Sequence, residues 1–548
     1  MVFNSLIFLV FLAVVLLLYY RLGFRAQNWM LVGVSYLFYG WWDYRFVGLL
    51  LFTTLFDYFC ALWIERESRT TRRKLLLASS MTVNLGVLCI FKYFNFFAGS
   101  LQRAFDVFGI TLSFPTLHVV LPVGISFYTF LSMSYTIDVY RKELPATRNL
   151  LEFMLYVAFF PHLVAGPIVR ASFLLPQCQR PRKTIPEEVA NGIWLILMGF
   201  VKKVVIADRL AQVVAWGFSG GEPRIGNANS WLVIYAFAFQ IYGDFSGYSD
   251  IARGISKLMG FELVVNFRAP YLVSDPASFW RHWHISLSTW LRDYLYIPLG
   301  GNRHGRLKTY RNLGLTMLLG GLWHGAGAAY VLWGLYHGAL LAIQRMWKDI
   351  TGGRPELRPA RAVLEPVLAT SGPVAAGVSV GRGYSLATGV GLVAGQRGST
   401  GSAGFSPTIQ PESDREGARS GSEEAAPGTG TNWLMLLRRG FLVLVFFHLT
   451  CVGWLLFRAG SLPANVDQVH FVLKYLATMI IPPRGIDSMA QGIFLLGGLA
   501  LFLQWRHEAM NRFSRWPVHW QALGVTAALA AIAALGIFEG AQFIYFQF

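Results

Sequence analysis

Charge is what this chain has least of. Asp, Glu, Lys and Arg make up 14% of 548 residues against 54% hydrophobic ones, and the acidic share is the smaller, 29 Asp plus Glu against 47 Lys plus Arg. So thin a polar coat excludes a soluble globule, because apolar runs of spanning length recur from end to end. Cysteine is scarce as well. Cys60, Cys89, Cys178 and Cys451 lie far apart, with no C-x-x-C pair and no histidine at metal-ligand spacing, so neither a disulfide framework nor a zinc site is expected. Strict polar/apolar alternation is missing: Val2 to Tyr20 and Val47 to Ile64 are apolar on consecutive positions, with Asp57 the one charge in either, which excludes a membrane β-barrel. No G-x-S-x-G elbow, H-E-x-x-H helix or Walker loop is present, so covalent-serine and metal mechanisms have no support.

What is present reads as an all-α polytopic membrane protein, with about eleven transmembrane helices plus re-entrant or broken segments. The net charge of +18 sits in short clusters between apolar runs rather than on one soluble face, so positive-inside topology explains it and no nucleic-acid partner is expected. Its partners begin with membrane lipids. The first run, Val2 to Tyr20, has no basic n-region and no A-x-A site, and reads as a retained helix. The basic loop Glu65 to Lys74 belongs in the cytoplasm; counting back three spans puts Arg21 and Arg25 there too and the N-terminus outside. Pro122 and Gly124 break or kink the run Val119 to Val139. The short run Leu150 to Val164 ends in His162, Gly166-Pro167 and Arg170 and reads as re-entrant, while a span at Trp231 to Tyr242 delivers the polar sequence Gln240 to Asp250. Three regions follow: a membrane core at 1–350, a disordered, charge-neutral cytoplasmic insertion rich in Gly, Ser, Ala and Pro at 351–432, and C-terminal transmembrane helices at 433–548.

Polar chemistry concentrates between Phe279 and His337. His324 lies in an apolar run among Gly320, Gly321, Gly325 and Gly327, small residues that allow either close helix packing or the approach of a thin ligand. An intramembrane ionisable residue marks function by default, and a neutral imidazole can accept a proton from a thiol or hydroxyl; a core histidine bonded to a carbonyl is the bland alternative. His337, thirteen residues on, faces roughly 220° away on a continuous helix and reads as structural. Arg281, His284, Ser288 and Arg292 fall at spacings of three, four and four and form one polar stripe if the segment is helical. Arg281, Arg292 and Arg303, with Ser288 on the same stripe, could hold the phosphates of a cytoplasmic donor or simply fix topology among the interfacial Trp280, Trp283 and Trp290. Asp244 and Asp250 are candidates for ion pairs with Arg253 or Arg268.

Five motifs in order carry a resemblance: Leu121-Pro122-Val123-Gly124-Ile125-Ser126-Phe127-Tyr128, Phe160 to Ile168, Asp244 to Asp250, Phe279-Trp280-Arg281-His282-Trp283-His284-Ile285-Ser286 and Gly321-Leu322-Trp323-His324-Gly325. Together they resemble the membrane-bound O-acyltransferase family, and within it the bacterial alginate O-acetylase branch, alongside cellulose and peptidoglycan O-acetylation proteins and, more distantly, the teichoic acid D-alanylation protein. The likeness runs from the N-terminus to about Met346 and resumes near Leu437. It implies a ring of helices around a central tunnel, the family's catalytic histidine at His324 and its second active-site position at His284. It further implies an acetyl group taken from a cytoplasmic donor, acetyl-CoA, with no bound cofactor, and passed across the inner membrane to an exported polysaccharide, most closely alginate, with periplasmic polysaccharide O-acetylation proteins as partners. Acylation of a lipid or protein, D-alanyl transfer, and a transporter that makes no bond are the alternatives.

Overall fold

Residues Phe8, Leu12, Val15 and Tyr19 of the first helix, Leu6–Arg21 (α1), recur at helical spacing and are buried, while Leu6, Ile7, Val10, Val14 and Leu17 on the other side are exposed. An apolar stripe packed inward with an equally apolar face outward is the signature of a helix whose solvent is lipid. A computed structural model describes residues 1–111, 115–117, 120–164, 166–219, 230–352, 433–462, 466–479, 488–507, 511–538 and 543–544. Among them every regular element is a helix. The chain continues through α2 (Phe24–Gly40), α3 (Arg45–Arg66), α4 (Thr70–Leu88), α5 (Phe94–Val107), α6 (Ile125–Arg141), α7 (Leu150–Ala158), α8 (Phe160–Leu163), α9 (Ala171–Gln179), α10 (Pro186–Phe200), α11 (Asp208–Gly217) and α12 (Ser230–Leu258). After these come α13 (Pro276–His282), α14 (Ile285–Leu291), α15 (Arg306–His324), α16 (Ala328–Ile350), α17 (Trp433–Ala459), α18 (Gln468–Met479), α19 (Ser488–Trp505) and α20 (Val518–Leu535). Among the described residues, five continuous helical stretches are long and apolar enough to cross a membrane: Arg45–Arg66, Thr70–Val107, Pro186–Gly217, Trp433–Ala459 and Val518–Leu535. Met1–Thr351 and Leu434–Phe548 form one compact unit; the expected insertion at 351–432 lies, from residue 353 on, outside the described residues.

Glycine decides how closely the central helices approach. Gly192 and Gly199 of α10 face Gly254 and Gly247 of α12 in antiparallel order, and a Cβ added at Gly199 or Gly247 would lie 2.6 or 2.7 Å from the other's carbonyl oxygen. The same device joins α15 to α16, where Gly321 and Gly334 abut the opposite backbone.

Among the described residues, π-helical turns at Cys89–Tyr93 and Val201–Ala207 interrupt otherwise helical stretches, and one at Arg292–Tyr296 ends α14. Such widened turns are rare and tend to re-aim side chains at functional places. The turn at Cys89–Tyr93 does not end its helix, and the stretch from Thr70 continues through it to Val107. A correction concerns α12. It runs for 29 residues, so Asp244 and Asp250 lie inside a helix and are buried. Their charges are answered across the glycine seam, Asp250 by Lys202 at 2.6 Å and Asp244 by Lys203 at 2.7 Å. Arg253, which the sequence offered as a partner, adds a longer ion pair to Asp250 at 3.7 Å. At Gly124, φ is +77° and α6 starts there, so the Pro122/Gly124 signal marks a helix beginning rather than a kink.

Candidate active site

The segment from Pro276 to Tyr296 is not one helix. Asp275 caps α13 by accepting from the Ser278 amide at 2.9 Å, and the helix ends at His282. Trp283 is extended, His284 occupies the left-handed region at φ +42°, ψ +54°, and α14 restarts at Ile285. The break has a cause outside the segment: the Asn266 backbone carbonyl accepts from the Ile285 amide at 2.9 Å, and the Asn266 side-chain oxygen accepts from the Ser286 amide at 3.2 Å. Arg281, His284, Ser288 and Arg292 therefore share no helical stripe.

Contacts trace this segment as a narrow V. The Ala277 amide donates to Gln344 near the basic end of α16, at 2.9 Å. At the tip, Trp283 packs on Trp454 at 4.7 Å between ring centroids, and His284 lies 6.5 Å from Phe127 near the start of α6. The returning limb stacks Trp290 on Phe130 at 3.8 Å and bonds the Tyr294 hydroxyl to Asp138 at 2.7 Å, near Arg141 at the other end of α6. A chain that enters and leaves on one side is a re-entrant element, tolerated in lipid only where protein surrounds it.

At its tip the V meets α15. His284 and His324 are both buried, at 0% and 3% exposure. Both rings lie edge-on to the Trp323 indole, 6.1 Å and 4.9 Å from its centroid, so the two imidazoles are at most about 11 Å apart. The Nδ1 of His284 lies 3.2 Å from the Asn266 side-chain oxygen, which also accepts from Ser286 Oγ at 3.0 Å. Because that oxygen is an acceptor, His284 carries its proton on Nδ1 and presents Nε2 as a base. Ser286 Oγ in turn accepts from the Ile168 amide at 3.0 Å, tying the Gly166-Pro167 segment to the tip. Around His324 stand Trp333 at 5.0 Å and Phe457 at 5.1 Å, so the C-terminal helices also wall the site.

The remaining sequence candidates separate. Arg281 and Arg303 are exposed at the basic end; Arg281 donates to Ser278 Oγ at 3.2 Å. Ser288 Oγ is turned inward and donates to the Trp283 carbonyl at 3.0 Å, closing the tip of the V. Arg292 pairs with Asp293 at 2.6 Å, and Arg170 closes on the same carboxylate from the other side. Burial raises the Asp293 carboxyl, yet the bonds and charges of Arg292 and Arg170 outweigh burial and hold it below its ordinary 3.8.

His337 corrects the continuous-helix argument. Gly325 and Gly327 are fully extended, so α15 ends at His324 and α16 returns antiparallel to it. His337 thereby comes back beside the site, its ring 4.9 Å from Trp333, and stacks on Phe279 at 6.0 Å. The glycines around His324 are likewise resolved, for Gly321 and Gly325 are filled by α16 and Tyr330, which makes them packing residues. Sequence reasoning missed Asn266, whose signal is one amide in the apolar run Leu263 to Phe267, and Lys92, whose signal is one cation within the long run from Leu75 to Phe97.

With this geometry in place, comparison with known proteins decides the family. Residues 36–353 match MBOAT, the membrane-bound O-acyltransferase family. The chain belongs to this family. It is similar to a probable alginate O-acetylase AlgI of Pseudomonas putida, 49% identical over 63% of this chain and 71% of the relative, and to its namesake in Azotobacter vinelandii, 46% identical over 68% and 74%. A peptidoglycan O-acetyltransferase of Helicobacter pylori is 35% identical over 64% of this chain and 72% of its own length. The protein is thus a multi-pass membrane O-acyltransferase.

Proposed function

We propose that this member of the family takes an acetyl group from cytoplasmic acetyl-CoA and passes it across the inner membrane for O-acetylation of an exported polysaccharide, alginate. The observation that carries the reading is the meeting of His324 and His284 on Trp323. The names of the relatives above supply the acetyl group and the polymer. Depth supports the direction. Arg306 to His324, Lys74 to Lys92 and Arg141 to Phe127 are helical paths of about 27, 27 and 21 Å at 1.5 Å per residue, all leading from basic ends to the site. With a hydrocarbon core of about 30 Å, the site lies in the half of the membrane away from the basic, cytoplasmic loops. Acetyl donor and acceptor then meet from opposite sides.

His324 acts as general base. It removes the proton from the acceptor hydroxyl, whose oxygen attacks the thioester carbonyl; the carbon–sulfur bond breaks and the thiolate leaves with the proton returned from His324. His284, fixed by Asn266, positions the reacting carbonyl. Exposed Arg281 and Arg303 receive the donor's phosphates, whereas Ser288 and Arg292 shape the tip and flank of the V. Periplasmic O-acetylation proteins complete delivery to the sugar.

Labelled acetyl-CoA offered to inside-out vesicles tests this reading, with label expected on alginate when the periplasmic partners are present. Label on lipid, on peptidoglycan or nowhere would sink it. His324→Ala should reach normal membrane abundance yet lose polymer acetylation by on the order of 100-fold to 10,000-fold; full acetylation by that strain refutes the assigned base.

A further inference from the structure

The last turn of α15 presents a problem that its own backbone does not solve. Gly325 follows His324 in extended conformation, φ −166° and ψ 154°, so no left-handed cap folds back over the helix end. The carbonyls of Leu322, Trp323 and His324 therefore face outward at the negative end of the helix. Donors come from more than two hundred residues away in sequence. The Lys92 ammonium donates to the Trp323 carbonyl at 2.7 Å and the His324 carbonyl at 3.0 Å, and the Tyr93 hydroxyl donates to the Leu322 carbonyl at 2.8 Å. Lys92 also reaches Ser126 Oγ at 3.4 Å, one residue before Phe127, and lies 5.9 Å from the Trp323 ring centroid.

Lys92 and Tyr93 close the π-helical turn Cys89–Tyr93, where the widened repeat aims two successive side chains at one helix end. An ammonium has three protons, and here each has an acceptor drawn from the two walls of the site, two on α15 and one on α6. A lone lysine in a spanning helix is costly unless it is held in this way.

We propose that Lys92 is the positioning residue of this acyltransferase: it clamps the C-terminal turn of α15 to the start of α6 and so fixes His324 and the Trp323 ring on which both histidines rest. Tyr93 extends the clamp by one carbonyl. The inference rests on the reading of His324 as the base. It adds that the orientation of this base is set from the π turn and not by α15 itself.

Lys92→Met keeps the stem over Trp323 and removes the donors; Lys92→Arg restores a cation with several donors. Transfer from labelled acetyl-CoA is measured per protein molecule in inside-out vesicles for both variants and for His324→Ala, beside hydrogen exchange of the Gly325, Ala326 and Gly327 amides. Misplacing a catalytic group by about 1 Å costs on the order of 100-fold. Lys92→Met is therefore expected to lower kcat about 10-fold to 100-fold with KM within about threefold, to speed exchange at 325–327, and to be largely rescued by Lys92→Arg. Wild-type kcat in Lys92→Met, unchanged exchange at 325–327, or a Lys92→Arg variant no better than Lys92→Met would overturn the clamp. The two ideas fail separately: full activity in His324→Ala removes the base, whereas an inactive His324→Ala beside a wild-type Lys92→Met removes only the clamp.

Discussion

His284 is held in a conformation that a non-glycine residue adopts at a cost of about 1–3 kcal/mol, and such strain persists only where neighbours over-determine it. Its neighbours are Asn266, Ser286 and the Phe245 ring at 4.6 Å. Asn266→Ala leaves the Nδ1 proton of His284 and the hydroxyl and amide of Ser286 without their shared acceptor. It should reduce stability by about 1–3 kcal/mol and lower transfer per molecule, read by thermal unfolding in detergent and by vesicle acetylation. His284→Asn is the complementary change, since asparagine tolerates the left-handed region well. Its membrane abundance should match wild type while transfer falls, and retained transfer would show that the imidazole is dispensable. The two histidines could be singled out from the sequence because an ionisable group in an oily run is conspicuous. Asn266 was missed, because one amide in a short apolar run points to no partner until the fold places it against His284.

Among the elements, the α10–α12 seam and the V-shaped segment carry the clearest consequences. Gly199→Leu inserts a branched side chain where even a Cβ would sit 2.6 Å from the Gly247 carbonyl oxygen, and should sharply reduce the amount of folded protein in membranes. Gly33→Ala, in open space on α2, should be tolerated or stabilise by up to about 1 kcal/mol. At the returning limb of the V, the Asp293 carboxyl is held below its ordinary 3.8 by Arg292 and Arg170. A depressed carboxyl stabilises the fold above the ordinary value and loses that contribution as pH falls through the folded one. Asp293→Asn should therefore melt below wild type at pH 5 and 6, with the gap closing below pH 3.8; a gap independent of pH would exclude this linkage. Helical spacing alone read the stripe Arg281–Arg292 as continuous, since periodicity cannot register a distant carbonyl that captures the amide of Ile285.

For the molecule as a whole, the proposed function requires the basic starts of α4 and α15 and the basic end of α6 to face the cytoplasm. A cysteine at Leu307, 83% exposed beside the basic start of α15, should react with an impermeant maleimide only in inside-out vesicles. One at Phe108, 78% exposed past the end of α5, should react only from the opposite side. Labelling of both from one side would contradict the depth assigned to His324. Of the native cysteines only Cys89 is exposed, so a background-free version needs that single replacement.

Composition and run length by themselves determined that the chain is helical and lies in a membrane, because lipid demands consecutive apolar residues and internally satisfied backbone whatever the fold. The ordered motifs determined the family and marked His324 and His284. Only the tertiary structure decided that a re-entrant V delivers His284 to Trp323, that Asn266 orients it, that His337 returns beside the site, and that Lys92 closes on the carbonyls of Trp323 and His324. Each of these depends on groups from fewer than twenty to more than two hundred residues apart meeting in space, and local spacing along a chain holds no information about which distant carbonyl or ammonium will arrive.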